Sequence, residues 1–139
     1  MQRVPDGVSA LIPWSAVRYL LVGVANTIVG LGVIYAVMYF LRFSDATANA
    51  LGYCVGVGVS FFLNRTWTFR HTGSIAPALA RFVGVLLVAY LANLVMVLVL
   101  INVIGINRYV AQALGVLPYT AIGYLGSRFV AFRNPIAEP

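Results

Sequence analysis

The amino-acid sequence predicts an all-α integral membrane protein, with four transmembrane helices arranged as two helical hairpins that are parallel repeats of each other. Of its 139 residues, 62% are hydrophobic and 9% are charged, whereas about a quarter of the residues of a soluble domain are charged. The hydrophobic residues fall into four segments, each long enough to cross a bilayer, which takes about twenty residues. These observations predict a single membrane domain that spans residues 1–139.

Residues 1–18 form the predicted cytoplasmic lead-in. Two interpretations of residues 8–17 remain open: a short amphipathic helix along the inner membrane surface, or a flexible segment interrupted by Pro13. The lead-in contains Pro5 and Asp6 and lacks an apolar core followed by a cleavage site, so we expect no cleavable signal peptide.

Four spans follow the lead-in. They cover residues 19–41, 46–69, 82–104 and 109–132. The turns inside each pair of spans, residues 42–45 and 105–108, are short, whereas the connection between the pairs, residues 70–81, is longer and polar. Short turns make neighbouring spans antiparallel, so the sequence predicts two helical hairpins followed by a cytoplasmic tail, residues 133–139.

The positions of the arginines predict the orientation in the membrane. All nine basic residues are arginines, and seven of them lie on the side that holds the termini and the middle connection. The other two are Arg42 and Arg108. Because basic residues concentrate on the inner side of a membrane, we expect both termini in the cytoplasm. The arginines are dispersed between apolar segments instead of forming one basic patch, so no nucleic-acid partner is expected.

A shift of 63 positions aligns the two halves of the chain. It pairs residues 48–52, Ala-Asn-Ala-Leu-Gly, with residues 111–115, Ala-Gln-Ala-Leu-Gly. At the helix ends it pairs Arg18, Arg65, Phe69 and Arg70 with Arg81, Arg128, Phe132 and Arg133. Any two hairpins with arginine and aromatic ends would look broadly alike, but the identical spacing favours duplication. Both hairpins then start on the same side, as parallel repeats related by an axis along the membrane normal.

Four asparagines lie within the predicted apolar spans. Asn26 belongs to the first span, Asn49 and Asn64 to the second, and Asn93 to the third. Because hydrocarbon offers no hydrogen-bond partners, we expect these side chains to point into the helix bundle. Two interpretations remain open: a helix-packing seam joined by hydrogen bonds, and a polar groove that receives a ligand.

Residue types that support catalysis or metal binding are scarce. The acids are Asp6, Asp45 and Glu138, all outside the spans, and neither His71 nor Cys54 belongs to a recognisable metal-binding motif. Catalysis normally requires a positioned acid, base, nucleophile or metal. The sequence therefore predicts neither enzymatic activity nor a metal or cofactor site.

The second span ends in a run of polar, aromatic and cationic residues. In order, the run is Ser60, Phe61, Phe62, Leu63, Asn64, Arg65, Thr66, Trp67, Thr68, Phe69 and Arg70. Guanidinium groups bind phosphate, and aromatic rings pack against sugars or acyl chains. The asparagine amide can bond hydroxyl groups.

Through this run the sequence resembles the GtrA-like family of small four-helix membrane proteins, and the resemblance covers nearly the whole chain. Residues 18–23, the pair Asn26-Thr27 and the pair Arg81-Phe82 resemble other parts of the same family. The second copy of the motif departs from it, because Ser127 replaces the asparagine and Val130 replaces the tryptophan.

The resemblance implies a role in cell-surface polysaccharide synthesis or glycosylation at the inner membrane of a bacterium. The protein would move a polyprenyl-phosphate-linked sugar from the cytoplasmic to the outer leaflet. Its partners would be that lipid, the surrounding membrane lipid and the glycosyltransferase that makes the lipid-linked sugar. The residues expected to bind the phosphate are Arg65, Arg70 and Arg128, assisted by Arg18 and Arg81. The residues expected to receive the sugar are Asn26, Asn49, Asn64, Asn93 and Trp67.

Other function classes compete with translocation. One is a membrane anchor that recruits the glycosyltransferase and transports nothing, with the arginines serving topology alone. Another, a small multidrug exporter, fits the size of the chain, but its spans contain no carboxylate to hold a cation. Four helices enclose little space for a sugar, so a homodimer with a shared groove is a further hypothesis.

Overall fold

The computed structural model describes residues 13–134, and all regular structure within this range is helical. The helices are α1 (Trp14–Leu41), α2 (Asp45–Leu63), α3 (Ile75–Asn102) and α4 (Arg108–Gly126). Helix α2 continues into a short π-helix, Asn64–Thr68, and α4 continues into another, Ser127–Ala131. We call these the first and second π segments. The all-α class predicted from the sequence is confirmed.

The chain divides after Arg70 into two compact units. In the first unit α1 packs against α2, and in the second α3 packs against α4. Each unit is therefore a helical hairpin, which we call the first and second hairpin.

Local residues explain where the helices begin and end. Pro13 lies in an extended conformation just before α1, where its fixed φ suits a helix start. The side chain of Ser44 accepts a hydrogen bond from the backbone N–H of Thr47, and Asn107 does the same for Tyr109, so α2 and α4 both begin at a side-chain cap. Helix α1 ends at Leu41 and is followed by Arg42, whose φ of 51° is left-handed.

The structure differs from the sequence-based prediction at two helix starts. Helix α1 begins at Trp14, so the end of the predicted lead-in is helical, because Pro13 precedes the helix instead of interrupting it. Helix α3 begins at Ile75, well inside the predicted connection of residues 70–81. Pro77 is tolerated there because it occupies the first turn, where an N–H would have no helical partner. The remainder of the lead-in, residues 1–12, and the tail from residue 135 lie outside the described residues.

Three stretches of the described chain are helical, long and apolar enough to cross a membrane. They are Trp14–Leu41, α2 together with the first π segment (Asp45–Thr68), and Ile75–Asn102. Helix α4 does not meet the same criterion, since polar and helix-breaking residues such as Gln112, Pro118 and Thr120 interrupt its apolar sequence. The fourth predicted span is thus present as a helix, and its passage through the membrane stays a prediction.

Glycines allow the two helices of each hairpin to approach closely. A Cβ atom added to Gly52 would collide with the side chain of Ile34 and lie 3.0 Å from the carbonyl oxygen of Gly30. In the second hairpin, a Cβ atom on Gly115 would lie 2.6 Å from a methyl carbon of Val97. Close approach between helices is how small residues stabilise membrane hairpins, because it increases van der Waals contact.

The bounds of the elements recur between the hairpins. Helix α4 begins and ends 63 positions after α2, and the second π segment lies 63 positions after the first. The buried residues Ala48 and Ala111 are also 63 positions apart. The offset seen in the sequence therefore extends to the local structure of each hairpin.

Candidate functional site

All five residues predicted to bind the substrate phosphate lie at one end of a hairpin. In each hairpin this is the end where the first helix begins and the π segment closes the second helix. We call it the arginine end. The first arginine end contains Arg18, Asn64, Arg65, Trp67, Thr68 and Arg70, and the second contains Arg81, Ser127 and Arg128.

The π segments are held by backbone hydrogen bonds that span five residues. The N–H of Phe69 donates to the carbonyl oxygen of Asn64 at 2.9 Å, and the N–H of Phe132 donates to that of Ser127 at 2.9 Å. A π turn inserts an extra residue into a helix and redirects the side chains near it, and such turns are common at functional sites. The Asn-Arg-x-Trp motif is folded in this way, which the sequence did not reveal.

In the first arginine end, Arg18 reaches across the hairpin to Trp67. Its Nη1 donates a hydrogen bond to the carbonyl oxygen of Trp67 at 3.3 Å. The guanidinium carbon also lies 5.6 Å from the centre of the Trp67 ring, a cation–π distance. Beside this contact, the rings of Tyr19 and Phe69 are 6.4 Å apart.

The first π segment buries polar atoms without satisfying all of them. Asn64 is 1% exposed, and its Nδ2 donates to the hydroxyl of Ser60 at 3.2 Å. Its Oδ1 and the hydroxyl of Thr68 are buried and have no hydrogen-bond partner within the described part of the chain. Buried polar atoms are almost always hydrogen-bonded in folded proteins, so these two indicate a place for water or a ligand.

Arg65 and Arg70 also belong to the first arginine end. Arg65 is half-buried in the π segment, and Arg70 is exposed just after it. Arg70 has a φ of 49°, a left-handed conformation that costs about 1–2 kcal/mol for a residue other than glycine. This conformation ends the helical segment and turns the chain out of the first hairpin.

The second arginine end repeats the cross-hairpin contact with different neighbours. Nη2 of Arg81 donates to the carbonyl oxygen of Ala131 at 3.3 Å. Nη1 of Arg128 donates to the hydroxyl of Tyr124 at 3.1 Å, and its guanidinium lies 5.3 Å from the ring centre of Phe129. Ser127 is fully buried, and its hydroxyl has no partner among residues 13–134.

His71 is a buried residue that sequence reasoning missed. The sequence predicts a polar connection at this position, yet His71 is 4% exposed, and its ring lies 5.8 Å from that of Phe132. Both ring nitrogens are buried without a hydrogen-bond partner in the described range. Its sequence position carried no signal of burial. Within that range no group of three potential metal ligands comes together.

The predicted sugar-binding asparagines do not form one set within a hairpin. Asn26 packs against Gly56, where an added Cβ atom would lie 2.8 Å from the Asn26 Oδ1. Asn93 packs against Gly115 in the second hairpin, where an added Cβ atom would lie 2.9 Å from the Asn93 Nδ2. Asn49 is exposed on α2. Asn26 and Asn93 therefore contribute to helix packing, and the groove that all four were predicted to line stays a prediction.

The first arginine end carries positive charge, and no carboxylate belongs to its described residues. Asp45 is the one acidic residue within residues 13–134, and it lies in the first turn of α2. At 1.5 Å per residue, it is about 30 Å along the helix from Arg65. An anion from outside the described chain, such as a phosphate group, would therefore be attracted to this end.

Comparison with known proteins gives consistent matches along nearly the whole chain. A family model described as the GtrA/DPMS transmembrane domain matches residues 18–132. The cell wall teichoic acid glycosylation protein GtcA of Listeria monocytogenes is 24% identical over 132 residues, which cover 88% of this chain and 91% of that protein. The bactoprenol-linked glucose translocase of Salmonella phage P22 is 28% identical over 121 residues, which cover 84% of this chain and 93% of that protein.

Proposed function

Because the chain belongs to the GtrA/DPMS transmembrane-domain family, we propose that it moves a polyprenyl-phosphate-linked sugar from the cytoplasmic to the outer leaflet of a membrane. The sugar would serve cell-surface polysaccharide synthesis or glycosylation. The names of the two relatives, one a translocase of a bactoprenol-linked sugar and the other a glycosylation protein, support this proposal at low identity.

The observation that carries the proposal is the grouping of arginines at each arginine end, next to buried polar atoms that have no hydrogen-bond partner within residues 13–134. We assign capture of the phosphate to Arg65, Arg70 and Arg128. The Oδ1 of Asn64, which has no hydrogen-bond partner among the described residues, adjoins Arg65 in sequence and could accept a hydrogen bond from a sugar hydroxyl. Trp67 is partly exposed and offers an aromatic face for the sugar or the lipid chain.

The proposal includes a topology. The chain is a multi-pass membrane protein, and we propose that α4 crosses the membrane with the other three helices although its sequence is less apolar. Four crossings put both arginine ends on the cytoplasmic side, by the positive-inside rule, where a partner glycosyltransferase would make the lipid-linked sugar. We place this topology in the inner membrane of a bacterium, with the hairpins as parallel repeats.

The experiment that tests the function is translocation of a labelled polyprenyl-phosphate sugar in liposomes that contain this protein alone. We expect protein-dependent movement, and we expect Arg65→Gln and Arg128→Gln to lose at least roughly tenfold in rate, because each removes a charged phosphate contact. The matched control is Arg108→Gln, which removes an exposed arginine from the opposite end of α4 and should leave the rate unchanged.

Two outcomes would count against the proposal. Unchanged transport in the double variant Arg65→Gln, Arg128→Gln would remove the proposed capture site. No transport by the folded wild-type protein, together with copurification of the glycosyltransferase, would favour the membrane-anchor function instead.

A further inference from the structure

We infer that Arg18 and Arg81 are positioning residues that hold the π segments carrying Arg65 and Arg128, instead of ligands of the substrate phosphate. The inference rests on the proposed function, because the π segments matter for transport to the extent that Arg65 and Arg128 bind the lipid phosphate. It gives Arg18 and Arg81 a role different from the one expected from the sequence.

The acceptors of the two arginines are carbonyl groups that the helices leave without partners. The last four carbonyl groups of a helix have no N–H donor within that helix. The carbonyls of Trp67 and Ala131 lie in the last turns of the first and second π segments, and each accepts a guanidinium hydrogen bond of 3.3 Å. Each arginine therefore satisfies an orphan carbonyl and connects the two helices of its hairpin.

The recurrence of this contact argues against a chance side-chain placement. Arg18 and Arg81 are 63 positions apart, and so are the first residues of the two π segments. The acceptor carbonyls, on Trp67 and Ala131, are 64 positions apart. The same contact is thus made twice, with a shift of one residue in the acceptor. We call these contacts the first and second clamp.

The arginine guanidinium makes more contacts in the first clamp than in the second. Arg18 is half-buried, donates to the carbonyl of Trp67 and lies over the ring of the same residue. Arg81 is exposed, and Val130 stands at the position in the second π segment that corresponds to Trp67. A planar fork of donors can bond a carbonyl edge-on while its face stacks on a ring. The first clamp is therefore the one in which arginine is hardest to replace.

The test uses full-length protein with Trp14→Phe as background, which leaves Trp67 as the sole tryptophan. Arg18→Lys keeps the positive charge but has one compact ammonium, which cannot hold the carbonyl and the ring at once. We expect the emission maximum of Trp67 to shift and its quenching by acrylamide to increase. We expect the maximal transport rate to fall roughly tenfold, with the Kd for polyprenyl phosphate in nanodiscs within about twofold of wild type.

Arg65→Lys in the same background is the matched control, since it makes the same chemical change at a proposed phosphate ligand. Lysine binds phosphate as a point charge without the two-point contact of arginine, so the Kd should rise while the emission of Trp67 stays unchanged. A second variant, Val130→Trp with Trp14 and Trp67 replaced by phenylalanine, places a ring in the second clamp. Its emission should respond to Arg81→Lys.

An unchanged Trp67 emission in Arg18→Lys, or a Kd that rises as much as in Arg65→Lys, would overturn the inference and make Arg18 a phosphate ligand. The failure of the proposed function looks different. If the wild-type protein binds the lipid but does not translocate it, while the fluorescence and Kd results hold, the clamp stands and the translocase proposal falls.

Discussion

Ser60, in the last turn of α2, and Ser127, in the second π segment, differ in whether their side chains have a partner within the described chain. Ser60 accepts a hydrogen bond from Nδ2 of the buried Asn64, whereas the hydroxyl of Ser127 is buried with no partner in the described chain. The energetic consequences differ, because removing a partner leaves a buried donor unsatisfied and removing an unpartnered hydroxyl does not.

We therefore expect Ser60→Ala to lower the free energy of unfolding by about 1 kcal/mol and Ser127→Ala to change it by less than about 0.5 kcal/mol. Chemical denaturation in detergent micelles, followed by circular dichroism, measures both. If Ser127→Ala costs as much as Ser60→Ala, the Ser127 hydroxyl has a structural partner after all. If Ser127→Ala keeps its stability but loses transport, that hydroxyl contacts the substrate.

At the scale of the elements, each hairpin is stabilised by glycines at which the helices meet. Gly52 and Gly58 lie on the same helix, but they differ in what surrounds them. A Cβ atom on Gly52 would collide with Ile34, whereas nothing lies within 4 Å of one on Gly58. The helix itself favours alanine over glycine at either position by up to about 1 kcal/mol.

Gly52→Ala should therefore destabilise the first hairpin by about 1–3 kcal/mol, because Ile34 or the helix axis must shift. Gly58→Ala is the matched control, and it should leave the stability unchanged or raise it slightly. Thermal unfolding in detergent, monitored for both variants, measures the difference. Equal stability of the two variants would show that the close approach of α1 and α2 does not depend on Gly52.

At the scale of the whole molecule, the passage of α4 through the membrane determines on which side Arg128 lies. If α4 crosses, the residues after the second π segment lie on the cytoplasmic side, and the end of α3 lies outside. Val103 and Asn134 lie at these two places and are both exposed, so a cysteine at either position can be labelled without disturbing a buried contact. Cys54 is itself exposed and must be removed first.

In a Cys54→Ala background, Val103→Cys should be labelled in intact cells by a membrane-impermeant thiol reagent, and Asn134→Cys only after the cells are opened. This expectation follows from four crossings and a cytoplasmic N-terminus. Labelling of Asn134→Cys in intact cells would mean that α4 does not cross, and it would separate Arg128 on the outer side from Arg81 on the cytoplasmic side. Thr72→Cys lies in the connection between the hairpins, on the cytoplasmic side in this topology. It should stay unlabelled in intact cells and so controls for their integrity.

Properties that depend on neighbours along the chain could be predicted from the sequence alone. Hydrophobic length and periodicity determined the all-helical class. The caps at Ser44 and Asn107 also depend on neighbours along the chain, because each side chain reaches an N–H two or three residues ahead, but no cap was predicted at either position. The offset of 63 residues likewise placed Arg65 and Arg128 in corresponding positions. The tertiary structure decided the rest: the π turns, the burial of His71, and the pairing of Arg18 with the carbonyl of Trp67. These depend on how two helices pack, because a carbonyl at a helix end gains a partner from whichever side chain the packing brings beside it.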